Sequence, residues 1–202
     1  MILLARREYE MSEAPVLSRT YPWTTSVNGT DVTFRLMTPD DRDEILEFAR
    51  SLPSEDLMFL RTDITQEATI DAWMSYLSSG RTISLAAEIK GAIAGYASIH
   101  LNDVLWARHV GEMRVLISRD QRGLGLGKRL TNEAFGIAKD LKLRKVTAQM
   151  PTDQRGARSV FEHLGFRPEA LLADHVMTRD GQTHDLLIMS YDVVGFSNDL
   201  KG

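Results

Sequence analysis

Residues Gly111–Leu130 read GEMRVLISRDQRGLGLGKRL, and they predict the centre of the fold of this 202-residue chain. Alternating apolar residues around Val115 predict a strand with at least one buried face. Three alternating glycines follow at positions 123, 125 and 127, and apolar residues then recur at helical spacing from Lys128 to Leu141. The stretch therefore predicts a strand, a glycine loop and a helix in direct succession.

A glycine loop between a strand and a helix is typical of a phosphate site. Glycine allows positive φ and close approach of the backbone, and the free N–H groups of the first helical turn point at the anion. A P-loop would need glycine at position 122 and serine or threonine at position 129, where the sequence has Arg122 and Arg129. A dinucleotide-binding fingerprint from Gly123 would need glycine in place of Lys128. The spacing therefore excludes both of these nucleotide-binding loops, and a plain strand-to-helix turn remains the alternative to a phosphate site.

The composition excludes several functional classes. The chain has no cysteine, which excludes disulfides, thiolate metal sites and a cysteine-linked acyl intermediate. Its 24 basic and 28 acidic residues give a net charge of -4, which argues against a nucleic-acid partner. No apolar run approaches the roughly 20 residues that span a bilayer, and the apolar start is too short for a secretory signal. We therefore expect a cytoplasmic protein that binds neither nucleic acid nor membrane.

Turn residues and periodicity predict the remaining elements. Asn28-Gly29 predicts a hairpin turn, and Thr38–Asp41 predicts a helix start because it supplies a hydroxyl cap, a proline and two carboxylates. Further strands are predicted at Trp23–Val27, Asp31–Met37, Arg81–Glu88, Ala92–Leu101, Leu143–Met150, Phe166–Thr178 and Gln182–Val194, and further helices at Ser54–Leu60, Thr65–Leu77 and Asp153–Leu164.

The order of these elements predicts an α+β fold. We expect a mixed, mostly antiparallel central sheet flanked by helices, with a C-terminal β-hairpin. Residues 1–21 form a loosely held extension in this prediction, residues 22–196 a single domain and residues 197–202 a tail.

Two motifs resemble one enzyme family. The first is Arg-x-x-Gly-x-Gly from Arg122 to Gly127, and the second consists of Ala157, Phe161 and the run Leu164–Phe166. With the strand between them, they resemble the GNAT superfamily of acyl-CoA-dependent N-acetyltransferases, and the resemblance extends from Thr33 to Val194. The family has the same mixed sheet and uses acetyl-CoA as co-substrate without a metal.

The resemblance implies a set of cofactor-binding residues. The loop amides would hold the CoA pyrophosphate together with nearby basic side chains, and the end of the preceding strand would offer backbone groups to the pantetheine arm and the thioester. The implied residues are Leu116, Ile117, Ser118, Arg122, Gly123, Leu124, Gly125, Leu126, Gly127, Lys128, Gln154 and Phe161, with Arg129 as a further cation. Gln154 stands where the family often has asparagine.

Glu112 is the candidate catalytic base. It lies in an otherwise apolar strand, where a carboxylate is uncommon unless it is paired or functional. Some members of the family, notably protein-lysine acetyltransferases, place a catalytic glutamate near this point, and the segment Pro53–Leu57 with Leu60-Arg61 is loosely similar to those enzymes. The alternative is a structural glutamate paired with Arg114 or a neighbouring strand.

Phe161 departs from the family pattern. Many members have a tyrosine here that protonates the departing thiolate, and phenylalanine has no proton to give. Water or another residue would then supply that proton.

The last hairpin contains four further candidates. If Asp180-Gly181 is a two-residue turn, His175 and His184 lie diagonally on one face, and Asp174 and Asp185 lie diagonally on the other. They would form a proton relay or a wall for the acceptor, whereas no third ligand is evident for a metal. The alternative is polar decoration of a terminal hairpin.

These observations favour an N-acetyltransferase. We expect direct attack of an amine on acetyl-CoA, with general base catalysis and no covalent intermediate. The acceptor is a small-molecule amine or a protein lysine, and a homodimer is left open. The alternative function is a CoA-binding regulatory module that has lost efficient chemistry, which the phenylalanine at position 161 motivates.

Overall fold

The computed structural model describes residues 17–57, 60–178 and 181–193. Its strands are β1 (Trp23–Val27), β2 (Thr30–Leu36), β3 (Thr82–Ile89), β4 (Ala92–Leu101), β5 (Val110–Ile117), β6 (Lys145–Pro151), β7 (Arg167–Met177) and β8 (Thr183–Asp192). Across these ranges they form one eight-stranded sheet in the order β1-β2-β3-β4-β5-β6-β8-β7. Neighbouring strands are antiparallel except β5 and β6, which are parallel. The predicted α+β fold with a mixed, mostly antiparallel sheet is confirmed.

Helices cover both faces of the sheet. They are α1 (Arg42–Ser51), α2 (Ser54–Leu57), α3 (Glu67–Ser78), α4 (Leu126–Asp140) and α5 (Arg155–His163). On one face, α1 and α3 pack against β4 and β3 through buried residues such as Ile45, Ile70 and Tyr96. On the other face, α4 packs on β3, β4 and β5, with Leu130 and Met113 in the core. Strands β3 and β4 thus lie between two apolar layers, whereas β5, the strand before the glycine loop, packs on α4 with one face.

The N-terminal hairpin forms as its turn residues predict. Asn28 has φ 46° and Gly29 has φ 83°, the left-handed region that a two-residue hairpin turn of type I′ requires.

The next helix begins slightly later than predicted. Pro39–Asp41 forms a 3-10 turn, the N–H of Thr38 donates to the Asp41 carboxylate at 2.6 Å, and α1 follows from Arg42.

The middle of the sheet opens between β5 and β6. Their parallel pairing covers only Val110–Glu112 against Lys145–Thr147, although β5 continues to Ile117 and β6 to Pro151. On their outer edges both strands stay paired, β5 with β4 and β6 with β8. A wedge-shaped gap therefore opens in the sheet immediately before the glycine loop.

The C-terminal hairpin differs from its predicted register. A two-residue turn at Asp180-Gly181 would pair Met177 with His184, but Met177 pairs with Thr183. The backbone closes between residues 178 and 182, where an N–H donates to a carbonyl at 2.9 Å. The connection therefore has three residues, and the predicted pairing was wrong by one position.

A second irregularity shifts the same hairpin again, between Leu172 and Val176. Asp174 has φ 50° there. Its N–H donates to Asp185 Oδ1 at 3.0 Å, and its carboxylate accepts from the Thr183 hydroxyl at 2.6 Å. The two aspartates thus stabilise a bulge in the backbone.

Part of the predicted N-terminal extension, residues 17–21, packs on α4. The N–H and hydroxyl of Ser18 donate to Asp140 at 2.8 and 2.9 Å, and the Tyr21 hydroxyl donates to Glu133 at 3.1 Å. The predicted extension from 1 to 16, the end of the predicted domain from 194 to 196 and the predicted tail lie outside the described residues.

Candidate functional site

Two adjoining cavities occupy the gap between β5 and β6. The first, of about 700 Å³, follows the glycine loop and the start of α4, and we call it the loop groove. The second, of about 450 Å³, reaches the hairpin of β7 and β8, and we call it the hairpin pocket. Residues that line both cavities are Asp56, Val115, Leu116, Gln154, Ala157 and Phe161. A molecule bound along the loop can therefore extend one end into the pocket.

The glycine loop presents free backbone N–H groups to the loop groove. Gly123 and Gly125 have φ of 82° and 79°, a left-handed backbone that strains residues with a Cβ. The N–H of Arg129 donates to the carbonyl of Gly125 at 3.2 Å, which begins the hydrogen bonding of α4. The amides of residues 126–128 have no partner inside the helix, and these residues line the groove. Free amides at a helix N-terminus form an anion site.

The basic residues around the loop have different partners. Arg122 lines the groove and forms an ion pair with Asp56 of α2 at 2.5 Å. Lys128 lines the groove and is exposed. Arg129 instead lies over the Trp23 ring at 4.7 Å and 3.4 Å from the Glu133 carboxylate. The geometry thus offers the charge of Lys128 and the remaining N–H donors of Arg122 to an anion, and it directs Arg129 into a structural contact.

Strand alternation determines which backbone groups of β5 face the gap. The N–H of Ser118 donates to the Ala94 carbonyl at 2.9 Å, and the pairing of β5 with β4 is continuous, so Leu116 also directs its backbone groups to β4. The N–H groups of Val115 and Ile117 therefore face the open side. Among the predicted strand residues, Ile117 offers a free amide and Leu116 lines the groove, whereas Ser118 lies outside the lining.

The remaining predicted cofactor residues are placed as follows. Gln154 immediately precedes α5 and Phe161 lies within it, and both line the two cavities. The Phe161 ring is buried and packs edge-on against Phe166 at 4.9 Å. Leu124 does not line the groove, and its carbonyl accepts from the Asn28 side chain at 3.0 Å, which ties the N-terminal hairpin to the loop.

Glu112 lines the hairpin pocket with a side chain that is 17% exposed. Arg61 Nη1 donates to its Oε2 at 2.6 Å, and Arg114 Nε donates to its Oε1 at 2.8 Å. Glu112 is therefore both a pocket residue and a partner of Arg114, so the geometry combines the two alternatives. To take a proton from a substrate, it must exchange one of these two hydrogen bonds.

Two titratable side chains of β4, the half-buried His100 and the buried Tyr96, have shifted pKa values on the sheet face that carries Glu112. His100 faces it across the strand pair, and burial followed by the charge of Arg114 lowers the pKa of His100 to about 4. Its Nδ1 lies 3.0 Å from the Thr82 hydroxyl. Burial raises the pKa of Tyr96, whose side chain lines the pocket, to about 12. Both groups are thus neutral near pH 7.

The two histidines of the last hairpin are not part of one wall, so that prediction was wrong. His175 lines the hairpin pocket together with Glu112. His184 instead places its Nδ1 3.4 Å from the carboxylate of Asp153. The additional turn residue and the bulge at Asp174 turn the side chains of His175 and His184 in different directions.

Three residues contribute to the site in ways that the sequence did not predict. Val115 supplies a free amide, Arg61 binds Glu112 from 51 residues away in sequence, and Asp56 holds Arg122. The second carboxylate oxygen of Asp56 is buried and has no hydrogen-bond partner among the described residues. Both Asp56 and Arg61 lie in the segment with the looser family resemblance, but no spacing pattern indicates their partners.

Over the part of the chain that the structure describes, no group of three His, Asp or Glu side chains is arranged to hold a metal ion. Over the same residues, no helix has the length and apolar character needed to cross a bilayer.

A model of the acetyltransferase (GNAT) family matches residues 44–166. The acetyltransferase of GNAT family from Streptococcus pneumoniae aligns at 22% identity over 80% of this chain and 99% of that chain, with a TM-score of 0.70. A GNAT superfamily phosphinothricin acetyltransferase from Sinorhizobium meliloti, in complex with acetyl-CoA, aligns at 22% identity over 80% and 88%, with a TM-score of 0.70. The ribosomal-protein-alanine N-acetyltransferase from Brucella melitensis aligns at 22% identity over 79% and 98%, with a TM-score of 0.70. At this identity, the likeness to these structures shows a shared fold.

Proposed function

The chain belongs to the GNAT acetyltransferase family, and we propose that an amine bound in its hairpin pocket directly attacks the thioester of acetyl-CoA held in its loop groove. As a member of this family, it is an acetyl-CoA-dependent N-acetyltransferase. The observation that carries the proposed mechanism is that the two cavities share part of their walls, including Leu116, with Glu112 on the wall of the second.

The residues of the loop groove fit the cofactor. The free amides of 126–128 suit the pyrophosphate, Lys128 adds positive charge beside it, and Arg122 adds N–H donors while its charge stays paired with Asp56. The open edge of β5 suits the amide groups of the pantetheine arm, since an extended chain can hydrogen-bond to it as a neighbouring strand would. The amide of Val115 or Ile117 is then placed to donate to the thioester oxygen as charge develops on it.

Glu112 acts as the base in this proposal. The acceptor nitrogen loses a proton to the Glu112 carboxylate and forms a bond to the acyl carbon. The C–S bond breaks with its electron pair on sulfur, and the thiolate takes a proton from water. Phe161 has no proton to give, and the raised pKa of Tyr96 makes that phenol a poor donor, so solvent is the proton source that we propose.

The acceptor is a small-molecule amine or a protein lysine, because both present an amine that can reach the pocket. A second candidate function is a CoA-binding module without efficient transfer. It is favoured by the apolar Phe161 and by the two arginines that already bind the Glu112 carboxylate.

Acetyl-CoA turnover with a panel of amines and lysine peptides tests the proposal. Thiol release can be followed directly, since the chain has no cysteine to add background. We expect saturable release of CoA together with an acetylated amine detected by mass spectrometry. Saturable CoA binding with no acetylation of any member of the panel would support the binding module instead.

A further inference from the structure

The hairpin pocket has more positive than negative charge. Arg61 and Arg114 approach Glu112 from two sides, at 2.6 and 2.8 Å. Among the described residues, two guanidinium groups against one carboxylate leave one positive charge without compensation. The other carboxylate of the pocket, Asp56, is already compensated by Arg122 at 2.5 Å.

Each arginine keeps donors for a further partner. Arg61 contacts Glu112 through Nη1, and Arg114 contacts it through Nε, so each planar group retains other N–H donors in its fork. The side chains are 57% and 34% exposed, which leaves room for an additional acceptor. Guanidinium groups bind carboxylates with particular geometric preference, because two parallel N–H groups match two oxygens.

Among the described residues, the groups beside Glu112 do not supply the missing negative charge. His100, across the strand pair from Glu112, is neutral near pH 7 because its pKa is lowered. Much of the remaining pocket wall is apolar and includes Leu60, Met177 and Leu186. The pocket therefore combines a cationic side with an apolar side.

We propose that the acceptor is a small amine that also carries a carboxylate, in the manner of an amino acid with an apolar side chain. Arg61 and Arg114 bind the carboxylate, and the apolar wall takes the side chain. The inference rests on the proposed function, because it names the acceptor of that same reaction. A volume of about 450 Å³ suits a small ligand.

The proposal also explains how Glu112 becomes available as a base. The carboxylate of the acceptor competes for the guanidinium donors that Glu112 holds in the free protein. When one of those donors turns to the substrate, one oxygen of Glu112 is released to accept the amine proton. An amine without a carboxylate leaves Glu112 bound by both arginines and reacts slowly.

Matched acceptors test this on the wild-type enzyme. Leucine, methionine and phenylalanine are each compared with the corresponding amide and with the amine that lacks the carboxylate. The amide has the less basic amine, so its intrinsic reactivity near neutral pH favours it over the acid. We expect kcat/KM to be about 10- to 100-fold higher for at least one acid than for its matched amide, as loss of one charged hydrogen bond implies.

Arg61→Gln tests the arginine directly and changes an exposed side chain. It should lower the acid-to-amide ratio about tenfold and leave the dissociation constant of CoA unchanged. Arg114→Gln should lower the same ratio. Arg50→Gln is the matched control, because Arg50 is 53% exposed on α1, does not line the pocket and pairs with Glu67. It should leave the ratio unchanged.

The outcomes separate this inference from the proposed function. Equal or better turnover of amides or plain amines, acetylation confined to lysine peptides, or an unchanged ratio in Arg61→Gln would each overturn the carboxylate-bearing acceptor while leaving acetyl transfer intact. Binding of CoA without acetylation of any amine would overturn the proposed function and the inference with it.

Discussion

The loop groove and the hairpin pocket meet at one gap in the sheet, but they are built in different ways. The part of the groove that faces the anion is formed by backbone groups of the consecutive elements β5, the glycine loop and α4, and residues of α2 and α5 complete its wall. The pocket is lined by side chains from α2 and the residues after it, from β5 and β6, and from the last hairpin. The anion-binding part of the groove is thus local in sequence and made of main chain, whereas the pocket is assembled from distant segments.

This difference separates what each surface determines. Backbone amides bind an anion whatever the neighbouring side chains are, so the groove suits a cofactor that is common to a large family. Side chains drawn from several segments determine charge and shape individually, so the pocket determines the acceptor. Changes to the groove should therefore affect cofactor binding, and changes to the pocket should affect turnover and acceptor choice.

Gly125→Glu should have the largest effect. It adds strain at a φ of 79° and places a carboxylate against the phosphates. We expect CoA to bind about 1,000-fold more weakly or not measurably, by calorimetry. Gly181→Glu is the matched control, because Gly181 has φ 83° and open space around its Cβ position, and the same charge there should leave CoA binding unchanged. Full affinity in Gly125→Glu would remove the loop from the cofactor site.

Glu112→Gln tests whether the hairpin pocket determines turnover. Glutamine keeps the shape but cannot take the amine proton, so kcat should fall about 100-fold, as for loss of a general base. The dissociation constant of CoA should stay within error of the wild-type value. Wild-type turnover in Glu112→Gln across the pH range would show that Glu112 is only a partner of Arg61 and Arg114.

His100 makes the face that carries Glu112 sensitive to pH. Its folded pKa of about 4 lies below its ordinary value near 6.5, so the neutral form is favoured in the native state. This contribution is complete above pH 6.5 and is lost as the pH falls toward 4. Between pH 7 and pH 5, the free energy of unfolding should fall by about 2 kcal/mol more in the wild type than in His100→Asn, by urea denaturation. Equal pH dependence in the two proteins would show that the pKa of His100 is not lowered in the folded protein.

Asn28→Gly should have the smallest effect. Glycine keeps the positive φ of 46° but removes the hydrogen bond to the Leu124 carbonyl, so the loop is held less firmly. CoA should bind about fivefold more weakly, as expected for one neutral hydrogen bond. Lys90→Gly, at φ 54° in the turn between β3 and β4, is the control and should leave the affinity unchanged. An unchanged affinity in Asn28→Gly would show that the contact from the N-terminal hairpin does not contribute to CoA binding.

The same difference between the loop groove and the hairpin pocket explains which parts of the site could be predicted from the sequence. The loop could be predicted because its glycines, its strand and its helix are consecutive, and each leaves a periodic or compositional signal. The sequence does not predict to which side of β5 the backbone groups of Ile117 and Ser118 point, since this depends on the pairing of β5 with β4. That pairing comes from a different part of the chain.

The pocket was less predictable because it depends on tertiary contacts. Glu112 stood out as a carboxylate in an apolar strand, but the approach of Arg61 follows from packing across 51 residues. In the last hairpin, one additional turn residue and a bulge at Asp174 moved His175 and His184 apart. A one-residue change of register redirects every side chain beyond it, which sequence patterns cannot resolve.

A single-turnover experiment distinguishes direct transfer between the two cavities from transfer through an acetylated protein. Enzyme in excess over acetyl-CoA is mixed with the best acceptor of the panel, quenched at intervals, and analysed by intact mass for both protein and amine. Direct transfer requires that the acetyl group pass from CoA to the amine while the mass of the protein stays unchanged at every time. An acetylated protein that forms first and then passes its acetyl group to the amine would contradict it.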